Sequence, residues 1–157
     1  MTLPIQIWTR TAWHPAFKCG GWAFVRSGVE LLGKAGGDRN TSPQRMGLAG
    51  LTASLTDLPS GPVAIDIEDR GLAQTTAKIL SGANLSDAER PTEDLELWAQ
   101  LITALKGRSV RFKVGALSPG GPAAFAQAWA DLAMDKAKTA GPFTAAIPKP
   151  NLARVKV

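Results

Sequence analysis

The chain has 157 residues, 18 basic and 13 acidic side chains, a net charge of +5 and 45% hydrophobic residues. These are the values of one ordinary globular domain, large enough to bury a core unaided, and they exclude a disordered chain. The single cysteine excludes an internal disulfide and a Cys-rich zinc module. No apolar run of about 18 residues is present to cross a membrane. No basic, apolar and small-residue succession marks a secretory leader. A cytoplasmic protein with no membrane partner is expected.

Pro4 to Arg10 alternates apolar and polar residues and predicts a strand. His14-Pro15 marks residues 11–19 as a loop. Gly20-Gly21 opens a second strand, Trp22 to Arg26. Ser27-Gly28 turns the chain into a third, starting over Val29–Leu32 and dying in Gly36-Gly37-Asp38. Three strands on short turns predict an antiparallel meander. Ser42 before Pro43 is an N-cap followed by a first-turn proline. Met46, Leu48, Leu51 and Leu55 are the apolar stripe of the helix they start. Residues 62–68 are largely apolar, as in a strand of a parallel arrangement. A short helix over 70–80 and a polar loop over 81–91 follow. The next helix starts at Thr92-Glu93-Asp94, with acids in its first turn, and runs to Leu105 before Lys106-Gly107. Ser109 to Val114 alternates as a strand, Ser118 to Pro122 turns, and Ala123 to about Lys138 is an alanine-rich helix. Residues 141–157 carry prolines and basic groups and are read as an irregular basic tail on a domain of residues 1–140.

The order β-β-β-α-β-α-α-β-α predicts an α/β domain: a mixed five-stranded sheet with helices on its faces. This is the order of the ribonuclease H fold, and local sequence is similar. Ile7-Trp8-Thr9-Arg10-Thr11 stands where type 1 ribonucleases H have an apolar strand ending in Thr-Asp-Gly. Gly20-Gly21-Trp22-Ala23 resembles that family's Gly-Gly-aromatic-Gly/Ala step. Ser42 to Leu48 resembles its Thr-Asn-Asn-Arg-Met-Glu-Leu helix start. Asp94 to Trp98 is similar to its Asp-Leu-Trp helix, and Ala128 to Ala133 to its Cys-Asp-Glu-Leu-Ala helix.

The resemblance implies a two-metal nuclease that cleaves the RNA of RNA–DNA hybrids with magnesium or manganese held by four carboxylates. Carried over residue by residue, those positions are Arg10, Gly47, Glu68 and Ala130. Only Glu68 is an acid; Asp66 and Asp131 stand nearby, out of register. A one-residue slip on a strand turns a side chain to the opposite face, and on a helix turns it by about 100°. Neither acid is therefore a free substitute. Val114-Gly115-Ala116 occupies the stretch of the family's loop histidine. The expectation is a ribonuclease H-like pseudoenzyme without metal or other cofactor, acting as a nucleic-acid-binding or interaction module. Arg10 is expected to pair with Glu68 or Asp66 in place of a metal. The competing readings are an active divergent nuclease using Asp66, Glu68 and Asp69, and a protein-binding module without nucleic acid.

Other residues divide between packing and contact. Trp8, Trp22, Trp98 and Trp129 sit at core-like spacing. Trp13 lies among Arg10, His14 and Lys18, where it could stack on a base. Ser42 and Gln44 match positions that in the family contact the nucleic-acid backbone at a helix start. His14 reads as a surface residue and Cys19 as a buried one. Lys136, Lys138, Lys149, Arg154 and Lys156 make the most basic end of the chain.

Overall fold

The computed structural model describes residues 3–28, 30–115 and 117–156. Three strands lead: β1 (Ile5–His14), β2 (Cys19–Arg26) and β3 (Leu32–Asp38). Then come α1 (Pro43–Ser54), β4 (Val63–Asp66), α2 (Arg70–Leu80), α3 (Leu95–Leu105), β5 (Val110–Lys113) and α4 (Pro122–Ala140). A last strand β6 (Phe143–Ala146) and a short helix α5 (Lys149–Leu152) close the chain. The sheet order is β5-β4-β1-β2-β3-β6. β1 runs parallel to β4 and β4 to β5; the other neighbours are antiparallel.

The sheet therefore has six strands, not the predicted five. Residues 143–146 are not an irregular tail: they pair with β3 from Lys34 to Gly37. The segment was hidden because it is four residues long, lies between prolines and has little alternation of its own. Ile147 and Leu152 then bury themselves against the α4 side of the sheet. Replacing Leu152 with alanine is expected to cost about 2–3 kcal/mol of stability in urea unfolding; no loss would mean the tail is undocked. β1 also outruns its prediction. Thr11 to His14 pair with Cys19 to Trp22, so the loop shrinks to a tight hairpin turn with Lys18 at φ 51°. The third strand starts at Leu32; Val29, given to it from sequence, lies outside the described residues.

The expected cap forms at α1, where the Ser42 hydroxyl accepts from the Arg45 N–H at 3.1 Å. Buried Arg26 caps the other end, donating to the carbonyls of Ser54 and Thr56. Burial lowers its pKa, and Asp57 partly restores it. Leu48, Leu51, Ile65, Leu101 and Leu105 form the larger core, between α1, α2, α3 and one face of the sheet. Alanines of α4 pack on the other face, against Ala23, Val25 and Ala35. Trp22 and Trp98 are buried; Trp8 and Trp129 are half-buried against the α4 core. Among the described residues, no helix is long and apolar enough to cross a membrane.

The polar 81–91 loop is tied to α2 by an ion pair between Lys78 and Glu89. The ammonium, then the Ser86 amide, hold the Glu89 carboxyl down at about 2. A depressed carboxylate contributes stability that is complete above its ordinary value and is lost as pH falls through the lowered one. The Ser86 amide resonance should therefore hold its shift down to about pH 3 and move only toward the lowered value. Movement centred between about pH 4 and 5 would contradict the tie.

Candidate functional site

Parallel pairing of β1 with β4 matches Trp8 with Asp66, so the register carried two residues on sets Arg10, within β1, beside Glu68, just past the end of β4. Period-two alternation then decides the partner. Even-numbered residues of both strands lie on the α4 side of the sheet, so Arg10 and Asp66 share a face. Glu68 lies beyond the end of β4 and is exposed. Arg10 is the largest fully buried side chain. Its Nη2 donates to Asp66 Oδ1 at 2.6 Å and to the Gly115 carbonyl at 3.3 Å. Its Nη1 donates to the Thr9 carbonyl at 2.8 Å and the Asp66 carbonyl at 3.1 Å. One guanidinium thus gathers the carboxylate and three backbone carbonyls of β1, β4 and the segment after β5. Its rigid fork suits that task, where a lysine's point charge would not. Gly115 is needed for the approach, since a Cβ there would run into Asp66 Oδ2.

Beside this pair a cleft of about 400 Å³ opens between β1, α1 and the start of α2. Thr9, Thr11, Gly47, Glu68, Asp69 and Arg70 line it. Asp69 is engaged: its Oδ1 accepts from Leu72 N–H at 3.0 Å and caps α2. Gly47 offers no ligand, and a Cβ there would meet Leu72 Cδ2 at 3.2 Å. Ala130 is fully buried under β2. Its neighbour Asp131 is exposed and takes a hydrogen bond from Gln127 Nε2 at 3.2 Å.

The four carried-over positions thus present one buried cation, two residues without oxygen side chains and one exposed acid. Hard divalent ions need several charged or carbonyl oxygens converging on one point. Among the described residues, no three His, Cys, Asp or Glu side chains are placed to hold a metal. The residues do not fit a magnesium or manganese pair.

Trp13, Ser42 and Gln44 do come together near the α1 N-terminus, but each is used within the chain. Trp13 Nε1 donates to the Thr41 carbonyl at 3.0 Å, tying the end of β1 to the helix start. Gln44 Nε2 donates to Asp94 Oδ2 at 3.2 Å. Arg45 donates to Asp94 at 3.0 Å and to Glu96 at 2.8 Å. Hydrogen bonding to Arg45 lowers the Glu96 pKa, and the two acids raise that of Arg45. The acids discharge this helix start, which weakens it as a phosphate site. His14 Nδ1 accepts from the Phe17 amide at 3.4 Å in the hairpin turn, and Cys19 is buried.

Three solved structures share the architecture. The N-terminal RNase H domain of Rv2228c from Mycobacterium tuberculosis, solved as a fusion with maltose-binding protein, superposes with TM-score 0.65. It is 16% identical, over 87% of this chain and 96% of that one. The foamy viral protease–reverse transcriptase in complex with RNA/DNA hybrid gives TM-score 0.63 at 14% identity, over 85% of this chain and 21% of that one. LC9-RNase H1, a type 1 RNase H with the type 2 active-site motif, gives 0.59 at 12% identity, over 92% and 79%. The chain has the ribonuclease H fold. No family model and no curated protein matches it in sequence.

The sequence left one site feature unseen: the number of carbonyls that Arg10 gathers. They belong to Thr9, Asp66 and Gly115, and backbone acceptors leave no mark in a sequence.

Proposed function

We propose that this chain is a catalytically lapsed ribonuclease H-like protein that acts by binding, with nucleic acid as the favoured partner. The observation carrying this reading is the buried Arg10–Asp66 pair, whose arginine stands where the resemblance implies a metal-site carboxylate. A guanidinium fixed there repels a divalent ion and already supplies the positive charge that Asp66 needs. Asp66 and Asp69, both required by an active divergent nuclease, are engaged by Arg10 and by the α2 N-terminus. The net charge of +5 favours a polyanionic partner, and one solved structure of the same fold is in complex with RNA/DNA hybrid.

Calorimetric titration with Mn²⁺ tests the lapsed site. No saturable binding is expected at millimolar metal, and a stoichiometric site would defeat the proposal. Binding to nucleic acid should persist in EDTA and fall steeply with salt, as counterion release requires. Absence of binding at low salt would favour a purely protein-binding module.

A further inference from the structure

α4 covers β1, β2 and β3 but leaves the β4–β5 side of the same face open. Alternation and register place two cross-strand rows there: Gln6–Ala64–Arg111 and Trp8–Asp66–Lys113. They line a shallow concavity of about 260 Å³. Trp8 is half-buried, braced against the α4 core at one side. Arg111 and Lys113 are exposed, and among the described residues neither joins an ion pair. Asp66 is the one acid in the two rows, and Arg10 on the same face has claimed its carboxylate. The buried pair therefore leaves this patch with the uncompensated charge of Arg111 and Lys113.

We infer that this face binds a single strand of nucleic acid, with a base stacked on Trp8 and successive phosphates on Arg111 and Lys113. Side chains two apart on one strand stand about 7 Å from each other, close to the step between phosphates of an extended single strand. An aromatic ring on an open sheet face stacks any unpaired base, and flanking cations track the backbone. A duplex hides its base faces, and an acidic peptide would satisfy the cations while leaving Trp8 unused. The inference rests on the binding reading above, but on different residues from the lapsed metal site.

Fluorescence anisotropy of a fluorescein-labelled 12-nucleotide oligothymidylate, in EDTA, is the test. Binding is expected, with a log–log salt slope of about −1.4 for two phosphates on a single strand. The double variant Arg111→Glu, Lys113→Glu should bind at least tenfold more weakly with an unchanged melting temperature. If that variant melts lower, Lys113→Gln alone should still weaken binding about threefold and flatten the slope by about 0.7. An oligonucleotide carrying 5-iododeoxyuridine should photocross-link to the tryptic peptide of residues 1–10, which holds Trp8. Cross-linking to residues 11–18, which hold Trp13, would overturn the inference. So would undiminished binding by the charge variants, no binding at about 25 mM salt, or tighter binding of a polyglutamate peptide. Each of these results leaves the Mn²⁺ titration, and so the lapsed-site reading, to stand or fall separately.

Discussion

Arg10→Ala is expected to lower the unfolding free energy by about 3–5 kcal/mol, the range for removing one partner of a buried ion pair. For a domain of this length the melting temperature should fall by about 10 °C. Two effects add. Asp66 keeps only 14% side-chain exposure and would hold an uncompensated charge. The carbonyls of Thr9, Asp66 and Gly115 would also lose a donor at the point where β1, β4 and the segment after β5 meet. Arg10→Lys should recover little, because one ammonium cannot span those acceptors. Arg10→Met combined with Asp66→Asn should recover part of the loss, since the stranded charge is gone. Urea unfolding of the wild type, Arg10→Met, Asp66→Asn and their combination completes a double-mutant cycle. A loss under about 1 kcal/mol for Arg10→Ala, the scale of an exposed pair, would contradict the described burial.

Gly21→Ala is expected to cost about 3 kcal/mol or more, at the upper end for overpacking. A Cβ on Gly21 would run into the Ala130 carbonyl and the Met134 amide, and would lie 2.9 Å from Ala133 Cβ. Two of those three obstacles are helix backbone, so no side chain can rotate away. α4 must lift from β2. Gly37 sets the same limit one strand over, where an added Cβ would lie 2.8 Å from Ala137 Cβ and 2.9 Å from the Ala133 carbonyl. At Gly21 and Gly37 the contact between α4 and the sheet is thus made of glycines below and alanines above. Thermal unfolding followed by circular dichroism checks this. A change within about 0.5 kcal/mol, the range of an ordinary surface substitution, would show that α4 sits further off.

These two sites also show where sequence reading succeeds and where it stops. The Gly20-Gly21 step was visible as a pattern, but its cause is the helix 110 residues later in the chain, which no local window contains. Arg10 at an acid's position was visible too, and its partner was narrowed to Asp66 or Glu68. Choosing between them needed the parallel register of β1 and β4 and the end of β4 at Asp66. The strand at 143–146 escaped because, beyond Phe143, its support comes from pairing with β3 and from Ile147 and Leu152 after it. Trp13 and Gln44 were legible as polar-contact candidates near a helix start. That their hydrogen bonds are spent on Thr41 and Asp94 depends on loops whose course composition does not dictate.

On the proposed reading, this ribonuclease H fold carries a buried internal cation where the family it resembles carries a metal-binding carboxylate. Incubation of the purified protein with an end-labelled RNA–DNA hybrid, in magnesium and separately in manganese, tests it most directly. The account predicts intact hybrid in both metals, with no difference between the wild type and Glu68→Ala. Metal-dependent cleavage of the RNA strand that Glu68→Ala abolishes would contradict it.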